Sequence, residues 1–249
     1  MKPALAWLLA RPIAHRGLHD SAQGVIENTA SAVLAAIEAK YAIECDVQVT
    51  ADGEAVVFHD FMLERLAEGS GPVDAMAADA IGKLALRGSA DHIMRLSDWL
   101  TLVDGRVGVV IEIKSRFDGD TRLLQRVIEV TREYEGPFAL KSFDPALIAK
   151  LREIAPTIIR GIVAMNDYED RCHGSLSRAE IHAIANLLHF SQTRPDFLSW
   201  HVADLPCAAP FLCRTQLGIP VTAWTVRTAE ERERASLHAD QMVFEGFKP

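Results

Sequence analysis

Glu44 and Asp46 stand two apart in the run Ala42-Ile43-Glu44-Cys45-Asp46-Val47-Gln48-Val49-Thr50, and His59-Asp60 ends the run that follows. Residues two apart in a strand share a face, so both carboxylates point one way while Cys45 and Val47 point the other. Asp52-Gly53 lies between the runs, a strong short-range hairpin signal. If those two residues form the turn, Ala51 faces Glu54 and Asp46 faces His59, with side chains about 5 Å apart on one face. Two carboxylates and an imidazole then converge from one local element. Carboxylates on an inward strand face are costly unless neutralised. Hard cations such as Mg²⁺ and Ca²⁺, which take oxygen ligands, are the simplest remedy. The plainer alternative is two exposed acids on an ordinary hairpin.

The run Val109-Val110-Ile111-Glu112-Ile113-Lys114 weighs against that alternative. Glu112 and Lys114 share a face and are embedded in apolar residues. On one reading they pair with each other; on the other, Glu112 joins Glu44 and Asp46 around a cation, and the three acids together favour the cation. Ile13-Ala14-His15-Arg16-Gly17 ends a further strand, placing an imidazole and a guanidinium at its exit, where Gly17 permits a sharp turn.

The elements that must hold these groups alternate along the chain. Strands are predicted at Pro12–His15, Ala42–Thr50, Val107–Lys114, Phe138–Phe143, Ile158–Ala164, Phe197–Val202, Val221–Val226 and Gln241–Glu245. Helices between them carry start signals: Ser177-x-x-Glu180 and Thr228-x-x-Glu231 fit the capping box, and Asp144-Pro145 places a capping carboxylate before a first-turn proline. Gly136 is expected to close a helix running from about Thr121 to Glu135. Strand–helix repetition argues for a parallel sheet, and eight units argue for a single (β/α)8 TIM barrel spanning residues 1–249. Residues at the C-terminal ends of its strands then line the site. The rival, an open doubly wound sheet, is weakened by the lack of G-x-G-x-x-G after the first strand. From about residue 60 to 96 the rhythm breaks into Gly69-Ser70-Gly71-Pro72 and many alanines. This stretch reads equally as a surface excursion or as a small cap over the barrel mouth.

Composition narrows the partners. The 249 residues carry a formal charge of −8, which repels nucleic acid and anionic lipid. Any anionic substrate needs a local basic pocket. No apolar run reaches the roughly 18 residues that span a bilayer, and the short apolar stretch Ala4–Ala10 lacks the length and cleavage site of a signal peptide. Cys45, Cys172, Cys207 and Cys213 show no C-x-x-C spacing and read as reduced, buried thiols. A cytoplasmic location is the default expectation, and homo-oligomerisation stays open.

Taken together, His15-Arg16-Gly17, Glu27-Asn28-Thr29, Glu44-x-Asp46-Val47, Thr50-x-Asp52-Gly53, His59-Asp60 and Ile111-Glu112-Ile113-Lys114, with a weaker Trp224-Thr225-Val226, resemble the glycerophosphodiester phosphodiesterase family over nearly the whole chain. The resemblance implies a TIM barrel that uses a divalent cation, Mg²⁺ or Ca²⁺, to cleave small glycerophosphodiesters into glycerol 3-phosphate and an alcohol, a step of lipid and glycerol metabolism. It implies Glu44, Asp46 and Glu112 as metal ligands and His15 and His59 as the general acid–base pair. Arg16 and Lys114 correspond to phosphate-binding cations, and Glu27 and Asn28 to a motif at the barrel mouth, although Asn28 reads equally as the cap of the following helix. Trp224 is expected either against glycerol carbons or in the core. Two departures stand out: Arg227 occupies a position where the family often has Asn, and Met242–Phe247 lacks a common Thr-Asp. Of the other histidines, only His201 is a candidate for the pocket; His182 and His189 are expected to share a helix face and to be partly exposed.

The alternatives are a phospholipase-like phosphodiesterase acting on lipids, which would need an exposed apolar rim, and a silent barrel that only binds phosphate esters. Every expected catalytic position is filled, which disfavours the silent barrel.

Overall fold

The computed structural model describes residues 5–166, 168 and 176–249. Helix α1 (Ala6–Ala10) leads into strand β1 (Ile13–His15), helix α2 (Ala30–Glu38) and strands β2 (Ala42–Val49) and β3 (Ala55–Val57). Helices α3 (Ala78–Ile81) and α4 (Leu96–Val103) precede β4 (Val109–Ile113), and α5 (Arg122–Thr131) precedes β5 (Phe138–Ser142). There follow α6 (Pro145–Ile154), β6 (Arg160–Ala164), α7 (Arg178–Ala185), α8 (Phe190–Thr193), β7 (Phe197–His201), α9 (Ala208–Gln216), β8 (Val221–Val226), α10 (Ala229–His238) and β9 (Gln241–Phe244). With β3 set aside as the hairpin partner of β2, eight strands remain, each led into by a helix. The fold is the (β/α)8 TIM barrel that the alternation predicts.

The chain forms two compact units. The first comprises Ala14–Lys114 and Thr121–Phe138; the second comprises residues 5–13, Ser115–Asp120 and the described part of Ala139–Pro249. In the first unit β2 pairs parallel with β4, setting Asp46 beside Glu112 and Glu44 beside Val110. In the second unit β5 to β9 pair parallel in sequence order. These strands are buried on both faces, so Ile43, Cys45, Val47, Ile111 and Ile113, like Leu140, Ile162, Leu198 and Val221, lie within the core.

The capping predictions hold. Asp144 accepts from the Ala146 amide at 2.8 Å ahead of Pro145, and Ser177 and Thr228 both complete capping boxes. The α5 prediction does not: the helix ends at Thr131, not Glu135. Gly136 serves a different purpose, because a Cβ there would meet the Tyr134 ring at 2.5 Å and the Gly105 Cα at 2.7 Å.

The hairpin register also differs from expectation by one residue. Val47 pairs with Val57 and Val49 with Ala55, so Asp46 stands opposite Phe58, whose amide donates to its carbonyl at 3.0 Å. The cause is a three-residue turn. The amides of Thr50 and Gly53 donate to the carbonyls of Glu54 and Thr50 at 2.9 and 3.0 Å, with Gly53 at φ +80° supplying the left-handed position. Thr50 Oγ1 donates to Asp52 at 2.5 Å and accepts from the Glu54 amide at 3.0 Å.

The stretch after β3 builds its own apolar cluster: Leu63, Ala67, Val73, Ala78, Ile81, Leu86 and Ile93 gather on Val56 and Phe58. By strand pairing, Val56 and Phe58 share a hairpin face with Gln48 and Asp46. The cluster therefore grows from the face that carries the acids. Among the described residues no helix is long and apolar enough to cross a membrane. Cys45 and Cys213 are buried, whereas Cys207 is only half-buried; Cys172 and His173 lie outside the described residues.

Candidate active site

The site is assembled within the first unit from the ends of β1, β2 and β4 and the turn after β3. Oxygens of Glu44, Asp46 and Glu112, all buried, lie within 4.8 Å of one another. Lys114 Nζ stands 2.7 Å from Asp46 Oδ1 and 2.5 Å from Glu112 Oε1. Glu112 pairs with Lys114, as one sequence reading has it, and it also lies against the acids of β2 that the other reading groups around a cation. The Arg16 amide donates to Glu44 Oε2 at 3.2 Å, and its guanidinium meets Glu27 Oε1 at 2.7 Å. Arg16 Nε is also 3.2 Å from Asp46 Oδ2, an ion-pair distance without hydrogen-bond alignment. His15 Nε2 is 3.9 Å from Glu44 Oε2.

Asn28 does not cap α2; Thr29 does, its hydroxyl accepting from the Ala32 amide. The Asn28 side chain instead donates to Asp46 Oδ2 at 3.1 Å and accepts from the Asp46 amide at 3.3 Å, so one amide fixes both ends of that residue. His59 follows the end of β3, and its Nδ1 lies 2.7 Å from Asp60 Oδ1. Two further residues hold this corner, and neither was picked out in the sequence. Gln48 donates to the His59 carbonyl at 2.8 Å; its signal was present, since 44, 46 and 48 share a strand face. Arg65, from the stretch after β3, bridges Glu27 and Asp60, a tertiary contact that local pattern does not encode.

Electrostatics follow from the crowding. Burial pushes the Asp46 carboxyl up, yet Lys114, then His59, Arg16 and His15, outweigh it and hold the group well below the usual carboxylate range. Burial likewise works against the charged forms of Arg16 and Lys114. Asp46, with Glu27 and Glu44, raises the first above its ordinary value, and Asp46 and Glu112 raise the second. Five carboxylates (Glu27, Glu44, Asp46, Asp60, Glu112) face three permanent cations (Arg16, Arg65, Lys114). The carboxylates outnumber the permanent cations in these contacts, and the three on β2 and β4 lie in a poorly solvated place. Oxygen donors, burial and charge balance all suit a hard divalent metal at Glu44, Asp46 and Glu112.

Trp224 belongs to the second unit. Its Nε1 donates to the Ser199 carbonyl at 2.9 Å, and it stacks edge-on with Phe143 at 5.4 Å and tilted on His201 at 5.1 Å. His201 also lies 3.5 Å from Asp204. The two departures meet here, for Arg227 Nε donates to Glu245 Oε1 at 2.6 Å. His189 does not share an exposed face with His182: α7 ends at Ala185, and His189 is buried beside Thr193 at 3.1 Å.

Comparison with known proteins identifies the family. A family model described as the glycerophosphoryl diester phosphodiesterase family matches residues 15–243. A glycerophosphodiester phosphodiesterase of Caldanaerobacter subterraneus is 32% identical over 61% of this chain and 65% of its own length, just under two thirds. Glycerophosphodiester phosphodiesterase 1 of Bos taurus is 24% identical over 91% of this chain and 74% of its own. Among solved structures, an Oleispira antarctica phosphodiesterase in complex with the product sn-glycerol-3-phosphate has TM-score 0.74 at 19% identity, covering 94% of this chain and 91% of that one. The Thermotoga maritima glycerophosphodiester phosphodiesterase gives 0.71 at 23%, covering 93% and 92%; at such identities these two establish the shared fold. The match from residue 15 to 243 settles the affiliation: this chain belongs to the glycerophosphoryl diester phosphodiesterase family and is a phosphodiesterase.

Proposed function

We propose that this protein hydrolyses small, water-soluble glycerophosphodiesters to sn-glycerol 3-phosphate and an alcohol, using Mg²⁺ or Ca²⁺ held by Glu44, Asp46 and Glu112. The observation that carries this reading is the convergence of those three buried carboxylates within 4.8 Å beside two imidazoles and two cations. A phosphodiester resists hydrolysis because its charge repels nucleophiles and its alkoxide leaves poorly. A divalent cation at this position would polarise a phosphoryl oxygen and acidify the attacking hydroxyl. The chain's own groups do the rest. His59 gives its Nδ1 proton to Asp60 as a hydrogen bond, which leaves Nε2 to accept or donate a proton in the reaction. His15, carried on a different strand, takes the opposite role, so that one ring removes a proton and the other protonates the leaving oxygen. Arg16 and Lys114 offset charge building on the phosphoryl oxygens. Asn28 and Gln48 hold Asp46 and His59 in place, and the segment of about 60–96 caps the site. We assign the reaction to the cytoplasm, where a free thiol such as Cys207 persists.

The test is an activity panel on purified protein, crossing Mg²⁺, Ca²⁺, Mn²⁺ and EDTA with glycerophosphodiesters and an intact phospholipid. Metal-dependent release of glycerol 3-phosphate from the soluble diesters is the expected result. Preference for the lipid would move the reading to a phospholipase, and absence of turnover with every metal would leave a phosphate-ester-binding barrel.

A further inference from the structure

Arg65 stands outside the metal cluster and outside every strand, yet it touches both halves of the machinery. Its Nε donates to Asp60 Oδ2, and Nη2 reaches Asp60 Oδ1 at 3.1 Å. Nη1 and Nη2 donate to Glu27 Oε2 and Oε1 at 3.0 and 2.7 Å. A guanidinium has two such edges, each able to grip a carboxylate with a pair of parallel bonds. Here both edges are used, on two carboxylates that have separate duties. Asp60 holds His59 through Nδ1 at 2.7 Å; Glu27 holds Arg16 at 2.7 Å, and Arg16 in turn faces Asp46.

We propose that Arg65 is a positioning residue that sets the His59 tautomer through Asp60 and the Arg16 guanidinium through Glu27. The logic at His59 is one of proton inventory. An ionised carboxylate only accepts hydrogen bonds, so an Asp60 kept ionised requires a proton on His59 Nδ1 and leaves the neutral ring's lone pair on Nε2. Although burial alone would raise it, hydrogen bonds from His59 and Arg65 hold Asp60 far below the ordinary carboxylate value. Without Arg65, Asp60 stays ionised at neutral pH but is held only through His59; it can turn away from the ring, which can then take either tautomer. Glu27 is gripped by Arg65 and Arg16 together, so loss of Arg65 also loosens the seat of Arg16. Arg65 comes from the stretch that packs its own apolar cluster on Val56 and Phe58, and that cluster therefore fixes where the guanidinium stands.

The catalytic consequence rests on the hydrolytic reading above; the ring consequence does not. The experiment compares wild type with Arg65→Gln and Arg65→Lys. It reads kcat and KM on a soluble glycerophosphodiester with Mg²⁺, and the ¹⁵N shifts of the His59 ring. Lysine keeps the charge and stem but lacks both forks, so it separates geometry from charge and retains the fold should glutamine fail to. The expected result is a kcat at least tenfold lower in both variants. The His59 shifts should move from one fixed Nδ1–H tautomer toward a mixture, a change that loss of a mere surface staple would not cause. A variant with His59 shifts unchanged, or with kcat within twofold of wild type, overturns the proposal. If wild type itself turns over no diester, the hydrolytic reading falls, while the ring shifts alone still decide what Arg65 does.

Discussion

At His59 the neighbouring carboxylate bears on which nitrogen is available, and that makes the ring a sharper target than its half-buried position implies. A group that moves a proton in the transition state contributes to turnover more than to substrate binding. His59→Ala should therefore lower kcat by roughly 10²–10⁴ with little change in KM; steady-state kinetics check this, and a near-normal kcat removes the ring from the mechanism. A different histidine reports on stability. His189 is buried, and desolvation pushes its pKa down from 6.5 to about 4. The folded-state value is thus below the unfolded one, so the unfolded chain binds more protons between pH 6.5 and 4, and stability is full above that window and lost as pH falls through it. The loss between pH 7 and 4.5 is about 2 kcal/mol by linkage. Urea unfolding at the two pH values should show it in wild type, and His189→Gln should flatten the difference. The sequence singled out His59 by type and spacing but put His189 on a face shared with His182; its burial follows from the break between α7 and α8, which nothing in the run around Asn186 signals.

At the scale of elements, the exit from β1 is the tightest joint. Gly17 has φ +82°, and a Cβ there would lie 2.8 Å from the Ala32 Cβ and 2.9 Å from the Ala32 carbonyl carbon. Gly17→Ala must strain the backbone and push α2 away from β1 at once, a cost on the order of 1–3 kcal/mol. Because Arg16 immediately precedes it and the Asn28 amide donates to the Arg16 carbonyl at 2.8 Å, the variant should lose activity more than its melting temperature alone accounts for. Thermal melts and kinetics on one preparation test that, and wild-type kcat at reduced stability would show the joint to be purely structural. The β2–β3 hairpin shows where sequence logic stops. Asp52-Gly53 correctly marked a turn, but Thr50 binds Asp52 and Glu54 through its hydroxyl and enlarges the loop by one residue, which moves every pairing. Asp46 and His59 remain neighbours because β3 ends at Val57, so His59 is positioned by Gln48 and Asp60 rather than by strand alternation. The carboxylates needed no such rescue: Glu44, Asp46 and Glu112 sit on regular parallel strands, and the period of two predicts which side chains share a face.

For the whole molecule, the barrel was legible because eight short apolar runs with capped helices between them leave few other ways to bury strands on both faces. What the pattern could not supply was the charge account of the site, since it depends on Arg65 reaching Glu27 across 38 residues of chain. That account leads to the last prediction. Three buried carboxylates within 4.8 Å of one another repel each other, and a ligand that binds only the folded state stabilises it by mass action. A divalent cation present at 100 times its dissociation constant adds about 2.7 kcal/mol, which for a chain of this length raises the melting temperature by about 5–10 °C. Mg²⁺ or Ca²⁺ should therefore raise it, and EDTA should return it to the starting value. Glu44→Gln removes one negative charge while keeping an acceptor for the Arg16 amide. Its metal-free melting temperature should match or exceed that of wild type, while the metal-induced rise should vanish along with turnover. A variant that still gains several degrees from the cation would place the metal elsewhere, and one that melts far below metal-free wild type would mean that Glu44 serves the fold rather than the ion.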